Sequence, residues 1–206
     1  MRKNEDEDND IKAILIGNAG VGKTNLINVT LGKEFNPSEC TTAACSYSKK
    51  EFNINYKNYE IDLWDTAGQE SYKGITKMFI KDSGIVIFVY DITNKKSFEE
   101  LNYWIDLTKE ALGDNFVGGI VGNKNDLYEK QEVEEKEAKQ FANSNRFLFR
   151  QVSAKDNPSL FVDFLEELVK KCAGIIEVKP KPRRNSVKLN SNMMKDINKE
   201  KSKKCC

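Results

Sequence analysis

The sequence predicts an α/β fold whose mostly parallel sheet is covered on both faces by helices. From residue 11 to about residue 177, short apolar runs alternate with amphipathic stretches, a pattern that indicates parallel strands joined by helices. The first run, residues 11–16, is apolar apart from Lys12, as expected of a strand that is buried on both faces. A glycine-rich turn follows it, and a helix is predicted from about Thr24.

The other strands are predicted from runs of the same kind. A hairpin is expected to turn at residues 56–58, because the stretches on either side alternate in polarity. Gly118 and Gly119 weaken the prediction of the fifth strand. The six strands are predicted at residues 11–16, 46–55, 59–65, 85–90, 117–121 and 147–152, and the fourth, which is the most apolar, is placed at the centre of the sheet.

Three later helices are predicted from a cap or an apolar stripe. Ser97, followed by Glu100, fits a capping box at the start of the first of them. Its apolar stripe contains Phe98, Leu101, Ile105 and Leu112. The second helix is predicted at residues 132–143. The third is predicted at residues 160–173. The side chains that we expect to face the core from this helix are Phe161, Phe164, Leu165 and Leu168.

Composition excludes several classes of protein. The chain has 206 residues, a net charge of +1 and no histidine, so we expect no nucleic-acid partner and no Ser-His-Asp or histidine–metal chemistry. Its five cysteines have no zinc-ligand spacing, which favours a reduced cytosolic setting. The N-terminus is acidic rather than a signal peptide. No apolar run approaches the roughly 20 residues of a spanning helix.

The chain is predicted to divide into three segments. Residues 1–10 form a flexible acidic leader, and residues 11–177 form the folded domain. Residues 178–206 are rich in Lys, Asn, Ser and Pro, a composition that predicts disorder. The last segment holds ten Lys and Arg residues against two Asp and Glu, so its charge is about +8 and the rest of the chain carries about −7.

The glycine-rich turn carries a phosphate-binding motif. Residues 17–24, GNAGVGKT, fit the pattern G-x-x-x-x-G-K-[ST] between a buried strand and a helix. Backbone N–H groups and the helix N-terminus then face phosphate oxygens, and we expect Lys23 to neutralise the β and γ phosphates and Thr24 to ligate Mg²⁺. The residues predicted to bind the nucleotide here are Asn18, Ala19, Gly20, Val21, Gly22, Lys23, Thr24 and Asn25. The alternative is a chance glycine-rich turn.

Residues 123–126, NKND, indicate which base is bound. They follow the fifth strand directly, and the Asp126 carboxylate can accept both N1–H and the 2-amino group of guanine, a donor pair that adenine lacks. Asn123 can brace the neighbouring loops, and the stem of Lys124 can lie along the ring. Ser153, Ala154 and Lys155 follow the last strand, where the Ala154 N–H could donate to guanine O6. Ordinary polar turns are the alternative for both segments.

Residues 65–70, DTAGQE, follow the second hairpin strand. Asp65 can hold a water bound to Mg²⁺. Gly68 has a backbone N–H that can approach the γ-phosphate without a side chain in the way, and Gln69 is placed to orient the attacking water as the catalytic residue. A solvated turn is the alternative.

These motifs resemble those of the Ras superfamily of GTPases, and of its Rab-like members, across roughly residues 11–175. The motifs that carry the resemblance are GNAGVGKT at 17–24, WDTAGQE at 64–70, VYDIT at 89–93, GNKND at 122–126 and SAK at 153–155. The resemblance implies a P-loop NTPase fold, namely a small G domain with a mostly parallel six-stranded sheet flanked by about five helices. It also implies slow GTP hydrolysis with GTP/GDP and Mg²⁺ as ligands.

The resemblance assigns further residues that spacing alone does not. Phe35 resembles the aromatic residue that packs against guanine, and Thr42 resembles the switch I threonine that ligates Mg²⁺ and meets the γ-phosphate. The effector-facing aromatic residues of Rab-like proteins correspond to Tyr47, Trp64 and Phe79, for which core packing is the alternative. The chain departs from the Rab pattern at Ala43-Ala44, at Ser71 and at residues 79–82.

The resemblance also implies partners and a location. We expect an exchange factor, a GTPase-activating protein, a GDP-dissociation inhibitor and effectors, with the chain itself a monomer and a switch in vesicular trafficking. Rab-like proteins that end in Cys-Cys are commonly geranylgeranylated, so Cys205 and Cys206 are predicted to anchor the tail to the cytoplasmic face of an intracellular membrane. The alternative for the anchor is a pair of terminal cysteines that carry no lipid. The alternatives for the function are a scaffold that binds GTP without cycling and an ATP-dependent P-loop enzyme.

Overall fold

The computed structural model describes residues 10–39, 42, 45–66 and 73–174. Six strands form one sheet in the order β2-β3-β1-β4-β5-β6. Only the β2–β3 pair is antiparallel, and the other pairs are parallel, which confirms the predicted fold class. The strands are β1 (Asp10–Ile16), β2 (Ser46–Ile54), β3 (Lys57–Asp65), β4 (Ile85–Asp91), β5 (Val117–Asn123) and β6 (Leu148–Gln151).

Helices pack on both faces of this sheet. In chain order they are α1 (Lys23–Thr30), α2 (Lys73–Ile80), α3 (Lys95–Glu99), α4 (Leu101–Leu112), α5 (Glu135–Asn145) and α6 (Ser159–Cys172), with a 3₁₀ helix at Asn125–Lys130. Because α3 and α4 are two parts of one helical stretch that is interrupted at Glu100, the number of packed helices agrees with the predicted five. Within the described part of the chain, no helix is long and apolar enough to cross a membrane.

The central strand β4 explains why the core has two halves. All seven of its residues are buried, and alternate side chains point to opposite faces of a strand. Ile85, Ile87 and Val89 pack in the half that α1 and α6 cover, and the predicted inward residues of α6 are all fully buried there. Val86, Phe88 and Tyr90 pack in the other half, against α4 and α5.

Two local predictions need correction. The hairpin turn consists of Asn55 and Tyr56, both with positive φ (52° and 63°), the geometry of a two-residue turn that matches strand twist. The turn therefore begins one residue before the predicted residues 56–58 and overlaps them only at Tyr56. The predicted capping box is also wrong. Asn94 is the N-cap of α3, and its side chain accepts a hydrogen bond from the Ser97 N–H. Ser97 lies inside the helix, and its hydroxyl donates to the Asn94 carbonyl (2.7 Å).

Other boundaries differ by a few residues, and two elements were missed. Asp10, which was assigned to the leader, begins β1 and pairs with Glu60, and α5 begins at Glu135 rather than at residue 132. Neither α2 nor the 3₁₀ helix was predicted. The 3₁₀ helix has no buried residue, and so hydrophobic periodicity offers no signal for it.

The glycines that weakened the prediction of β5 are required by packing. A Cβ atom on Gly118 would lie 2.1–2.7 Å from three ring atoms of Phe147. That ring cannot retreat freely, since it stacks on Phe88 (centroids 5.3 Å apart) and contacts Phe116 (5.7 Å). On Gly119, a Cβ would lie 3.0 Å from side-chain atoms of Phe164 and Leu168.

We therefore expect Gly118→Ala to lower the free energy of unfolding by about 1–3 kcal/mol, the usual cost of overpacking a core. Chemical denaturation monitored by circular dichroism would measure it. In a Phe147→Leu background the same substitution should cost less, because the clashing ring atoms are gone. An equal cost in both backgrounds would contradict the packing explanation.

Candidate nucleotide site

A cavity of about 370 Å³ opens at the carboxyl ends of the strands, where parallel α/β sheets bind their ligands. Its walls come from the β1–α1 loop, the segment after α1 and the loops that follow β5 and β6. The predicted residues that line it are Ala19, Gly20, Gly22, Lys23, Thr24, Asn25, Phe35, Thr42, Asn123, Lys124, Asp126, Ala154 and Lys155. The sequence motifs, which are far apart along the chain, thus meet around one cavity.

The β1–α1 loop has its shape because of two crowded glycines. Gly17 has a φ of +148°, and a Cβ there would lie 2.1 Å from the Val89 carbonyl oxygen. Gly22 has a φ of +95°, and a Cβ there would lie 2.3 Å from the Asn123 side-chain nitrogen. Both positions exclude any larger residue. The loop is therefore held tightly against β4 and against Asn123 at the end of β5.

We call the end of the cavity at Lys23 and Thr24 the phosphate end and the end at Phe35 and Asp126 the base end, after the groups that they are predicted to bind. Lys23 is a buried cation at the phosphate end. Its ammonium donates to the carbonyls of Gly17 (2.8 Å) and Asn18 (2.9 Å), and no ion pair within 4 Å involves it among the described residues. Burial lowers the pKa of Lys23 to about 8, and the nearby Asp65 charge opposes that shift. A buried ammonium without an adjacent carboxylate is costly, and an anionic ligand in the cavity would supply the missing charge.

Three side-chain oxygens, from Thr24, Thr42 and Asp65, converge near Lys23. The Asp65 Oδ2 atom accepts hydrogen bonds from the hydroxyls of Thr24 (2.6 Å) and Thr42 (3.1 Å), and the two hydroxyls are 2.8 Å apart. Burial raises the pKa of the Asp65 carboxyl, while the Thr24 hydrogen bond, the Lys23 charge and the Thr42 hydrogen bond oppose the shift.

The other oxygen of Asp65, Oδ1, is buried and has no hydrogen-bond partner in the described part of the chain. Carboxylate and hydroxyl oxygens in one small cluster are the ligands that Mg²⁺ prefers. A cation or a metal-bound water would also satisfy the orphaned carboxylate oxygen. The residues present therefore fit the predicted Mg²⁺ site.

Asn123 connects the two ends of the cavity. Its side-chain nitrogen donates to the Val21 carbonyl (2.8 Å), and its side-chain oxygen accepts from the Ala154 N–H (3.3 Å). The predicted bracing role of Asn123 is thus visible in its contacts. In contrast, the Ala154 N–H, which was predicted to donate to guanine O6, donates here to Asn123.

Asp126 is held at the base end by the loop after β6. Its Oδ1 atom accepts a hydrogen bond from the Ser153 hydroxyl (2.7 Å). That hydroxyl oxygen also accepts from the N–H groups of Lys155 (3.1 Å) and Asp156 (2.9 Å). Ser153 is therefore a buried support that orients the carboxylate rather than a residue of the cavity wall.

Lys124 contributes an ion pair that the sequence analysis did not predict. Its ammonium lies 2.7 Å from Asp91 Oδ2, and its φ of +67° is in the left-handed region. The other oxygen of Asp91 accepts from the N–H (2.9 Å) and the hydroxyl (2.7 Å) of Thr93. This pair fixes the path of the Lys124 stem across the base end.

Comparison with known proteins agrees with this geometry. The sequence model of the Ras family matches residues 12–173. The chain belongs to the Ras family. It is similar to the Ras-related protein Rab-2B of Dictyostelium discoideum, with 35% identity over 154 residues that cover 75% of this chain and 76% of the relative. It is also similar to the Ras-related protein Rab-17 of Mus musculus, with 37% identity over 147 residues, or 71% and 68% of the two chains.

The predicted resemblance to Rab-like GTPases is thereby confirmed, and with it the prediction that the chain is a GTPase, which hydrolyses GTP to GDP. Two positions predicted to serve catalysis or the γ-phosphate, Gln69 and Gly68, lie outside the described residues, as do Ala43-Ala44 and the terminal Cys205 and Cys206. Their roles stay predictions.

Some predicted residues of this GTPase lie behind the cavity wall. The Val21 side chain is buried in the core, and the Asn18 side chain accepts a hydrogen bond from the Trp104 indole N–H (3.0 Å). The sequence analysis missed Trp104 and Asp91 as supports of the site. Trp104 follows Leu101 by three positions in the apolar helix stripe, so its sequence pattern indicates a core residue and nothing more.

The three aromatic residues predicted to face effectors of this Rab-like GTPase form one row. The ring centroids of Tyr47 and Trp64 are 5.6 Å apart, and those of Trp64 and Phe79 are 5.9 Å apart. Tyr47 is 47% exposed, which argues against simple core packing for that residue. The ammonium of Lys12 lies 4.6 Å from the centre of the Trp64 ring, within the range of a cation–π contact.

Proposed function

We propose that this Rab-like GTPase binds GTP and GDP together with Mg²⁺ and acts as a membrane-anchored switch in vesicular trafficking. One observation carries the first part of the proposal. A buried cation and an oxygen cluster lie at one end of a single cavity, and an oriented carboxylate lies at the other. The first two suit phosphates and a metal ion, and the third suits the donor edge of guanine.

Each end has a chemical task. Lys23 would leave the carbonyls of Gly17 and Asn18 and donate to phosphate oxygens, because a charged acceptor makes the stronger hydrogen bond. The hydroxyls of Thr24 and Thr42 would hold Mg²⁺ directly, and Asp65 would hold it through water. When bound, Mg²⁺ neutralises charge on the phosphates during transfer.

At the base end, Asp126 would accept two hydrogen bonds from guanine, and Phe35 would pack against the ring. Phe35 lines the cavity and also packs on the core beneath α1. Titration with fluorescent mant-GDP and mant-ATP tests the assignment. We expect tight binding of the guanine nucleotide, with the adenine nucleotide at least about 100-fold weaker, since adenine lacks the donors for two hydrogen bonds to the Asp126 carboxylate and each bond to a charged acceptor contributes about 1.5–3 kcal/mol. Equal affinities would overturn it.

Gln69 is proposed to orient the water that attacks the γ-phosphate. We expect Gln69→Leu to slow single-turnover GTP hydrolysis at least tenfold, because the leucine side chain offers the water no hydrogen bond. The rate would be measured with preloaded GTP after Mg²⁺ is added. Gln131→Leu, which removes the hydrogen bond from the Gln131 amide to the Val133 carbonyl, is the control. Hydrolysis by Gln69→Leu at the parent rate would contradict the role.

The switch itself is proposed to depend on the γ-phosphate. Thr42 and Gly68 would both contact that group, so the loops that contain them would be ordered in the GTP state and released after hydrolysis. An exchange factor, a GTPase-activating protein, a GDP-dissociation inhibitor and effectors are the partners that the family relationship supports. The row formed by Tyr47, Trp64 and Phe79 is proposed as the effector-facing surface, with the chain acting as a monomer.

The proposed anchor is the basic segment 178–206, with Cys205 and Cys206 as the lipid-bearing residues. Two lipid chains give stable anchoring where one is marginal, and the lysines of the segment add attraction to anionic lipid. Mass spectrometry of the protein from its own cells should find both cysteines prenylated. A tagged Cys205→Ser, Cys206→Ser chain should lose its membrane location, and a double-serine chain that stays on the membrane would defeat the proposal.

A further inference from the structure

Among the described residues, residues 34–39 and Thr42 are hydrogen-bonded to the rest of the domain at two places of different kinds. Residues 34–39 contain Phe35, which lines the base end of the cavity. Beyond them, Thr42 is attached through hydrogen bonds to Thr24 and Asp65. Those partners belong to the proposed Mg²⁺ and phosphate site, so the Thr42 attachment depends on what is bound there.

The other attachment uses protein atoms alone. The side-chain amide of Asn25 donates to the Asn36 carbonyl (2.9 Å) and accepts from the Asn36 N–H (3.1 Å). One amide thus satisfies both backbone groups of the residue that directly follows Phe35. Asn25 is 9% exposed and lies in the first turn of α1, two positions after the phosphate-binding Lys23.

No other hydrogen bond to a described residue joins residues 34–39 to the body of the domain. The remaining bonds of the segment are internal: the Asn36 side chain accepts from the Ser38 N–H (3.0 Å) and donates to Glu39 (3.2 Å), and the Glu39 N–H donates to the Asn36 carbonyl (3.3 Å). The pair of bonds from Asn25 therefore holds the backbone next to Phe35, and the internal bonds make residues 36–39 follow it.

We propose that Asn25 is a positioning residue that keeps Phe35 over the base and thereby slows nucleotide release in both nucleotide states. The inference rests on the proposed guanine-nucleotide site, and it assigns the side chain of Asn25 a task that is separate from any contact between its backbone and a phosphate. It also fixes the boundary of the nucleotide-dependent loop. Residues 36–39 are linked to α1 through the bonds from Asn25 and through their own internal bonds, so the proposal places the start of the nucleotide-dependent loop after Glu39.

The test is the rate of mant-GDP release from the full chain, chased with excess unlabelled GDP. Asn25→Ala removes both hydrogen bonds, and we expect release to be about tenfold faster, within the range for losing two bonds of ordinary net strength. Asn28→Ala is the matched control. It lies on the same helix and loses only the exposed hydrogen bond from Lys33, so it should release GDP at the parent rate.

The second arm asks whether the effect passes through Phe35. In a Phe35→Ala background there is no ring to hold, so adding Asn25→Ala should change release less than about twofold, as expected of residues that act as one unit. An unchanged rate for Asn25→Ala would overturn the proposal. So would an acceleration of the same size in both backgrounds, because Asn25 would then act on the phosphates instead.

The failure of this inference is distinguishable from the failure of the proposed function. If the unaltered chain does not bind mant-GDP at saturable levels, the guanine-nucleotide site itself is wrong. If it binds mant-GDP but Asn25→Ala does not speed release, the guanine-nucleotide site is retained and the positioning role of Asn25 is wrong. Hydrogen exchange of the peptide covering residues 34–39 gives an independent readout, and it should be faster in Asn25→Ala than in Asn28→Ala. Equal exchange in the two variants would overturn the proposal.

Discussion

Asp126→Asn is expected to convert the chain from a guanine binder into a xanthine binder. The asparagine amide cannot accept both N1–H and the 2-amino group of guanine, but its NH₂ can donate to the 2-oxo group of xanthine. We expect GDP affinity to fall by a factor of about 10² or more and XDP to become the preferred ligand, since GDP loses two hydrogen bonds to a charged acceptor, each of which contributes about 1.5–3 kcal/mol. Competition against mant-GDP and mant-XDP measures both changes.

The neighbouring loop offers a control for that experiment. Asp156 is a second aspartate beside the site, and its side chain is 57% exposed, so Asp156→Asn changes the charge equally while leaving base recognition intact. The Ser153 hydroxyl, which donates to Asp126 Oδ1, can still donate to the asparagine carbonyl. Retention of guanine preference by Asp126→Asn would show that another group recognises the base.

Lys23→Met should nearly abolish nucleotide binding. The substitution keeps the length of the side chain but removes the buried cation that lines the described cavity. Phosphate charges left without this partner cost about 3–5 kcal/mol, so we expect GDP affinity to fall by a factor of about 10² to several times 10³. Lys33→Met, on an exposed lysine that donates to Asn28, should bind as the parent does.

The dependence on pH has a definite sign at this lysine. Burial lowers the pKa of Lys23 from 10.5 to about 8, and phosphate groups bind the protonated form. Above pH 8, the affinity of the parent for GDP should therefore fall by up to about tenfold per pH unit. In the unliganded domain, Lys23 is protonated in the unfolded chain but not in the folded one between pH 8 and 10.5. Its contribution to the free energy of unfolding therefore rises with pH over that range.

Lys23→Met should show neither the fall in GDP affinity nor this rise in stability. If the variant had the pH profiles of the parent, other groups would be responsible.

The sequence predicted most of this molecule because its signals are local. Strand β4 has an unbroken apolar run, and GNAGVGKT is a motif whose glycines have a backbone reason that Gly17 and Gly22 illustrate. Asp126 was predicted from the chemistry of guanine, and the structure places it in the wall of the same cavity as Lys23. The structure and role of these residues can be predicted from their residue type and from their immediate neighbours in the sequence.

What the sequence could not predict depends on partners far along the chain. Asn18 and Trp104 are 86 positions apart, and nothing in either segment indicates their hydrogen bond. The sequence does not indicate the side-chain contacts of Asn25 either, because an asparagine two positions after the P-loop lysine is equally compatible with a solvated helix turn. The capping error has a local cause. Ser97 and Asn94 are both good caps, and the Ser97 hydroxyl instead accepts a hydrogen bond from the Asp91 N–H, six positions earlier.

The position of Asn123 has a consequence for how the nucleotide is held. Its side chain spans from the loop that receives phosphate, at Val21, to the loop beside the base, at Ala154. A ligand that contacts only one of these two loops can order only that loop. A ligand that contacts both orders them together, because Asn123 is hydrogen-bonded to each. We therefore expect base selectivity and phosphate affinity to be coupled in this GTPase, because the buried amide of Asn123 contacts both loops.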